Sequence, residues 1–411
     1  MSTEKAESLA PTVTKIVLVI IAAAVYEFCL GTFYAWSIFK TPLIQLYDWK
    51  PTDVQWPMTL NALLTGIAAF IMGTRADRSP RSVAIAGGLL WGLGLIGAGY
   101  AVHHGNLNLL NWTFGIIGGI GVGLGYITGI AVPLKWLPQK RGLVSGLVIL
   151  AFGAGGMIIA KLGPAWMSEL GKEGPGKFLY GMGAICLVIC LITALMLTNP
   201  PGYKSKAATV SIKNLLPTEV LTSGRFWAIW IMIFINVYAG FAILSQASPM
   251  ANELLKFSQE QAGAFLMFIL LANGLGRLFW PIISDKIGAR PILVFMFATM
   301  SAVFFGLLHI KNAYAFAFAC CYVVLCYGGI FGTMPAFSVE IFGAKQMGRY
   351  YGPVLMAISA GALFVQYYFT RLLKEKGYGL PFTLIAISLV VAMILPFLVS
   401  QKKSDESTKP Q

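Results

Sequence analysis

Runs of about twenty apolar residues recur along the whole chain, each closed by polar residues. Twelve can be drawn, near 16–39, 55–74, 82–102, 108–134, 142–162, 178–198, 226–248, 260–283, 290–310, 312–335, 348–372 and 379–400. About 20 residues at 1.5 Å each cover the roughly 30 Å hydrocarbon layer of a bilayer, so each run predicts a membrane-crossing helix. The expected fold is an all-α membrane protein with twelve transmembrane helices. One long polar interval, 199–225, opens with Asn199-Pro200-Pro201-Gly202 and divides the spans six plus six. The expected units are an N-terminal six-helix bundle at 1–198, a linker loop at 199–225 and a C-terminal six-helix bundle at 226–411. The opening residues are polar, with Glu4, Lys5 and Glu7, and the run beginning at Ile16 is too long for a signal-peptide core. It reads as a retained first span.

Composition strengthens this picture. Apolar residues make up 57% of the chain and charged ones 11%, against about 25% charged in a soluble domain. Mean hydropathy is +0.75. So much apolar surface needs lipid as its solvent, which excludes a soluble enzyme, a DNA-binding module and a disordered regulator. The net charge of +14 does not bring nucleic acid back. No basic patch interleaves with aromatics in a polar domain, and Lys and Arg gather in cytoplasmic loops of membrane proteins. With the N-terminus inside, nineteen of the thirty basic residues fall on the cytoplasmic side. This places both termini and the central loop in the cytoplasm of a multi-pass cell (inner) membrane protein. The six cysteines lie in apolar runs without a CxxC pair, so neither a metal site nor a disulfide framework is expected. The glycines of spans 4 and 5 lack a preceding strand, so they predict close helix packing and not a nucleotide. No cofactor is expected.

The halves echo each other. The turn after span 2 reads Gly73-Thr74-Arg75-Ala76-Asp77-Arg78-Ser79-Pro80-Arg81, and the turn after span 8 carries Pro281, Asp285, Gly288 and Arg290. The two aspartates are 208 residues apart, as are Arg141 and Arg349 in the turns after spans 4 and 10. Two landmarks at one offset argue for a parallel duplication about an axis along the membrane normal.

Four further segments join these features: Phe33-Tyr34-Ala35-Trp36-Ser37, Lys135-Trp136-Leu137-Pro138-Gln139-Lys140-Arg141-Gly142, Arg225-Phe226-Trp227 and Asn273-Gly274-Leu275-Gly276-Arg277-Leu278-Phe279-Trp280. Together they resemble the major facilitator superfamily, and within it the branch of monocarboxylate transporters and oxalate/formate antiporters. The resemblance covers nearly the whole chain. It implies two pseudo-symmetric bundles around a central cavity and alternating access between the two sides of the membrane.

An ionised group at the centre of a span costs about 2.5–3.5 kcal/mol on insertion scales, so it faces a cavity or a partner. Two residues qualify. Arg277 lies about 10 Å inside span 8, and its planar fork of donors matches a carboxylate. It is either a binding site for a substrate anion or the ion-pair partner of Glu27. The resemblance places the substrate-binding arginine at this position. Asn273, one turn earlier on the same face, stands where many animal members have Asp. Glu27 lies mid-span in helix 1, seven residues before Tyr34 and so on the same helical face. An acid held away from water is suited to take up and release a proton, which makes Glu27 the candidate for proton coupling.

The resemblance adds Tyr34, Tyr126 and Tyr327 as cavity aromatics and Gln55 as a polar wall residue. Phe152, Phe331 and Leu355 stand where the oxalate transporters have Tyr, Tyr and Trp, and Ile358 where they have a second cation. One fixed cation suits one carboxylate, because a second anionic charge would lie uncompensated in low dielectric. Lys40 is two residues beyond the lysine of animal members and reads as a helix-end residue. By the same resemblance Asp77, Arg141, Asp285 and Arg349 form a cytoplasmic latch that holds the outward-open state. The expected activity is symport of a small monocarboxylate, lactate or pyruvate first, with a proton, by a single chain in the lipid bilayer. The alternative is carboxylate/carboxylate antiport of the oxalate–formate type, from which the acid in helix 1 distinguishes it.

Overall fold

In lipid every backbone amide must be satisfied within the chain, and an apolar run achieves this by coiling into a helix. The computed structural model describes residues 13–203, 218–250, 255–257 and 259–399. Among them are twelve helices long and apolar enough to span a membrane: α1 (Val13–Trp36), α2 (Asp53–Arg78), α3 (Pro80–His103), α4 (Leu107–Trp136), α5 (Arg141–Glu169), α6 (Gly171–Ala194), α7 (Gly224–Gln246), α8 (Met267–Ile287), α9 (Ala289–Leu307), α10 (Ala313–Phe342), α11 (Met347–Lys376) and α12 (Gly379–Leu398). No strand occurs among the described residues. Of the linker expected at 199–225, residues 204–217 lie outside the described residues.

Small residues set the distances between helices. In α5, Gly155 and Gly156 receive the Phe28 and Gly31 carbonyls of α1, and Gly31 in turn receives the carbonyl of Phe152. A β-carbon at any of these positions would strike backbone, so the glycines are what allow α1 and α5 to cross in contact. Buried aromatics fix the register around them. The Tyr26 hydroxyl donates to the Ala84 carbonyl at 2.7 Å, and the Trp91 and Trp36 indoles donate to Cys29 and Val54 carbonyls at 2.9 Å.

The end of α1 departs from the α-helix. Residues Thr32–Trp36 form a 3-10 helix. The Cys29 carbonyl accepts from both the Trp91 indole and the Thr32 hydroxyl. Side-chain donors thus compete with the main-chain ladder at that point, and the next turn tightens to about three residues.

The duplication is visible in the helix caps. Asn106 caps α4 by accepting from Leu109 N at 2.9 Å, and Asn312 caps α10 by accepting from Ala315 N at 3.0 Å. These two asparagines are 206 residues apart, as are Arg141 and Met347, which begin α5 and α11. The pairing of Arg141 with Arg349 by a common 208-residue offset is therefore corrected. The second half is two residues shorter between α9 and α11, and Met347 is the counterpart of Arg141.

The halves meet through α2 against α11 and α5 against α8. Gly348 packs on the Gly73 carbonyl and Gly352 on that of Ala69; in the mirror contact Gly142 packs on the Pro281 carbonyl and Gly146 on that of Arg277. The last pair shows that Arg277 is the counterpart of Ala69. One half thus carries a buried cation where the other carries a methyl group. Hydroxyls tie the same seam together. Ser145 Oγ donates to the Gly332 carbonyl at 2.7 Å, and Ser359 Oγ to the Ala62 carbonyl at 2.6 Å.

Candidate functional site

Arg277 is 6% exposed, at the seam between the halves. Its Nε donates to Asn273 Oδ1 at 3.2 Å, one turn back on α8. Its Nη1 reaches across the seam and donates to the Ile149 carbonyl of α5 at 3.0 Å. Gly153 lies one turn further along α5, and a β-carbon there would stand 3.5 Å from Arg277 Cζ and Nη1. The bare backbone at Gly153 thus makes room for the flat face of the guanidinium. Among the described residues no carboxylate pairs with this cation. Its charge is held by two neutral acceptors, which leave donors of the fork for an incoming anion.

Beside it lies a cavity of about 60 Å³, several times the roughly 10–15 Å³ that one water needs. The N-terminal half lines it with Tyr34, Tyr126 and Phe152, the C-terminal half with Phe331, Leu355 and Ile358. The rings interlock. Tyr34 and Tyr126 meet Phe152 edge-on at 5.3 and 5.0 Å between centroids. Two hydroxyl residues, Thr65 and Ser359, also line the wall. Both donate to backbone carbonyls, Thr65 Oγ1 to Gly119 at 3.1 Å and Ser359 Oγ to Ala62. Among the described residues Arg277 is the one charged residue in this wall. A single fixed cation in an aromatic and aliphatic chamber can bind one small anion and shield its apolar part from water.

Of the residues expected in the site, the structure brings Arg277, Tyr34, Tyr126, Phe331 and Leu355 together around the cavity. Asn273 acts at one remove, through Arg277 Nε. Tyr327 sits behind Phe331, its ring edge-on at 5.1 Å, and packs on Gly240 of α7. Gln55 lies near the start of α2, away from the wall, where its carbonyl accepts from Thr59. Lys40 belongs to the short helix Ser37–Tyr47 and is likewise absent from the wall.

The expectation that Glu27 shares the cavity face of Tyr34 is corrected. Glu27 is fully buried, and neither carboxyl oxygen has a hydrogen-bond partner. It points at Gly129 of α4, inside the N-terminal bundle. Tyr34 itself lies in the 3-10 turn Thr32–Trp36, whose tighter winding rotates it relative to Glu27. Seven α-helical residues would have aligned them. Gly129 follows Tyr126 by one turn, so Glu27 stands one layer behind a cavity tyrosine.

Sequence reasoning missed Ala62, Thr65, Gly66 and Ser359 in the wall, and Gly153. Ordinary small residues give no chemical signal. Gly153 was traceable in principle as part of the glycine run in α5.

The basic end of the bundle is closed by two carboxylates. Asp77 Oδ1 and Oδ2 accept from the amides of Gly348 and Arg349 at 3.0 and 2.9 Å, capping α11 of the other half. Asp285 accepts from Gly142 and Leu143 amides at 2.7 and 2.8 Å, capping α5. Carboxylates favour these helix starts because the free amides carry partial positive charge. Arg349 thus enters the contact with its main-chain amide. Arg141 stands beside the second cap with a buried Nε that has no hydrogen-bond partner.

The two caps are unequal. Asp77 is also paired with Lys135 at 2.9 Å, with side chains 4% and 0% exposed. Lys135 further donates to Asn199 at 3.4 Å and lies 5.1 Å over the Tyr203 ring. Asn199 returns a bond to the Asp77 carbonyl at 2.9 Å. Burial, with the Asp77 charge adding to it, pushes the Tyr203 phenol well above its ordinary range.

Residues 18–366 match the sequence model of the Major Facilitator Superfamily. The chain belongs to this superfamily. It is a multi-pass membrane transporter and not an enzyme. Among solved structures, the transporter FucP in its outward conformation superposes with a TM-score of 0.76 over 94% of this chain and 100% of that one, at 14% identity. That likeness speaks to the fold. Among known proteins, the oxalate:formate antiporter of Oxalobacter formigenes is 25% identical over 90% of this chain and 87% of its own length. Apicoplast pyruvate carrier 1 of Toxoplasma gondii is 26% identical over 78% of this chain and 68% of its own. Both fit the branch suggested by the motif around Arg277.

Proposed function

We propose that this superfamily transporter carries a small monocarboxylate, of the size of lactate or pyruvate, in symport with a proton. The observation that carries the reading is Arg277, a guanidinium with no carboxylate partner and no other charge beside it in the wall among the described residues. A carboxylate placed there accepts two parallel bonds from the fork, and its carbon chain rests on Phe331, Leu355 and the tyrosines. Ile358 occupies the wall where a second cation would be needed for a dianion. The pyruvate carrier and the oxalate:formate antiporter named above handle acids of this size.

The basic end is read as cytoplasmic, both termini with it, and the chain as a monomer in the cell membrane made of units 1–198 and 226–411 joined by 199–225. Asp77 and Asp285 then close the cytoplasmic side, and the cavity at Arg277 serves the opposite side. Alternating access requires both caps to let go as the halves rock. Glu27 is read as the proton carrier. It acts through the α1–α4 packing behind Tyr126, since it does not touch the cavity.

The position of Glu27 also favours a second reading, carboxylate/carboxylate exchange without a proton. The deciding experiment is uptake of labelled L-lactate by proteoliposomes with and without an inward proton gradient. Stimulation by the gradient, abolished by a protonophore, supports symport. Uptake confined to vesicles preloaded with a carboxylate replaces symport by exchange. No uptake of lactate, pyruvate, acetate or formate under either condition removes the monocarboxylate reading.

A further inference from the structure

A second cavity, of about 920 Å³, lies at the basic end outside the seam, at the corner where α2 turns into α3 beside the first linker residues. Its wall carries three guanidinium groups, Arg75, Arg78 and Arg81, together with Ser82, Asn199 and Tyr203. No acid lines it. Asp77, on the same end of α2, is engaged by Lys135 and the α11 amides. The start of α3 also faces this corner. Pro80 is its first residue, and Ser79 makes no side-chain cap, so the first-turn amides add positive character.

An apolar track leads away from the cations. Ile85 lines the cavity, and Leu89 and Leu93 continue its face of α3 at intervals of one turn, 37% and 51% exposed. Ile192 and Leu195 are exposed at the neighbouring end of α6. In a transporter embedded in lipid these side chains face acyl chains. Cations at the membrane edge above an apolar stripe match a molecule that is anionic at its head and apolar along its tail.

We propose that this corner binds the phosphate headgroup of an anionic phospholipid from the leaflet at the basic end, with an acyl chain along Ile85, Leu89 and Leu93. The wall residue Asn199 also bonds the Asp77 carbonyl and Lys135. A lipid seated here therefore braces Asn199 against the Asp77 cap and favours the state in which that end is closed. This inference is independent of the substrate assigned to Arg277.

The test uses the full-length protein in detergent and measures its unfolding midpoint and, by native mass spectrometry, the lipid it retains. The additions are phosphatidylglycerol, phosphatidylcholine and inorganic phosphate, each alone. Phosphatidylglycerol is expected to raise the midpoint by several degrees and to be retained, with phosphatidylcholine and phosphate without effect. The R75Q/R81Q variant, altered at two exposed positions, should lose most of the shift and of the retained lipid. K374Q/K376Q removes the same charge from exposed positions at the other end of the bundle and should lose neither. If the double variant is poorly folded, R75Q and R81Q singly should each weaken retention. An equal shift from inorganic phosphate would make this a small-anion site and overturn the lipid assignment. A phosphatidylglycerol effect that survives R75Q/R81Q, or is lost equally in K374Q/K376Q, would overturn the location.

Discussion

Arg277 on α8 faces Gly153 on α5, its guanidinium 3.5 Å from where a β-carbon there would stand, and its Nη1 bonds the Ile149 carbonyl one turn away at 3.0 Å. The charged group belongs to one half and its seat to the other. Any rocking of the halves that separates α5 from α8 must therefore break or reshape the anion site itself. This gives a physical link between substrate occupancy and the opening of the seam.

The seat limits what position 153 tolerates. An alanine β-carbon would stand 3.5 Å from the guanidinium carbon, an ordinary contact. Gly153→Ala should therefore retain uptake within about two-fold, whereas Gly153→Leu must displace Arg277 and should reduce uptake at least about ten-fold, the equivalent of roughly 1.4 kcal/mol. Initial rates in proteoliposomes, normalised to protein incorporated, check this. Equal activity of the Leu variant would show that the guanidinium does not need its seat.

The fork, not the charge alone, is expected to matter at Arg277. A lysine keeps the cation but cannot offer two parallel donors or hold Asn273 and Ile149 together. Loss of charge-assisted bonds worth about 1.5–3 kcal/mol should lower kcat/KM about 10- to 100-fold in Arg277→Lys. Near-normal lactate uptake by that variant would remove Arg277 from the site.

Asn273 offers a sharper probe because it touches Arg277 at Nε and not the cavity. Asn273→Asp places an anion 3.2 Å from that nitrogen. Ionised, it competes with the substrate for the cation; protonated, it behaves like the amide. KM should therefore rise several-fold at neutral pH and recover as the medium is acidified. A KM that does not vary with pH in this variant would mean that Asn273 does not tune the anion site.

The twelve spans and the family were legible because each rests on a long apolar run or on a motif many residues wide. Arg277 was legible because an unpaired charge in a span has few explanations. Glu27 was misplaced by a local event. Thr32 and Trp91 both donate to the Cys29 carbonyl, and the resulting 3-10 turn breaks the seven-residue phase that linked Glu27 to Tyr34. The true repeat offset of 206 in α4 and α5 was hidden behind the chance spacing of two arginines. Thr65 and Ser359 were invisible for another reason: their place in the wall depends on which helices of opposite halves touch.

Glu27→Gln tests the role that its position leaves open. The amide keeps the size and the packing on Gly129 but cannot exchange a proton. If Glu27 carries the proton, counterflow of labelled lactate should persist within about two-fold while accumulation driven by a pH gradient disappears. Unchanged accumulation would take Glu27 out of the coupling mechanism and leave a structural acid inside the bundle.

The two caps should differ in what they cost to lose. Asp285→Asn removes a charge from two amides of α5, an effect of about 1 kcal/mol. Asp77→Asn does the same at α11 and also strands Lys135, whose side chain is fully buried. Removing one partner of a buried pair costs about 3–5 kcal/mol, because the remaining charge keeps its desolvation penalty without compensation. The unfolding midpoint in detergent should therefore fall further in Asp77→Asn than in Asp285→Asn. Asp77→Asn/Lys135→Met should recover much of that loss, because no buried charge is left. It should not recover the cap on α11, so the double variant should still close the basic end less firmly than the parent. A thiol reagent applied from the basic end that labels Thr65→Cys, in the cavity wall, at the same rate in the parent and doubly substituted backgrounds would show instead that Asp77 does not govern closure at this end.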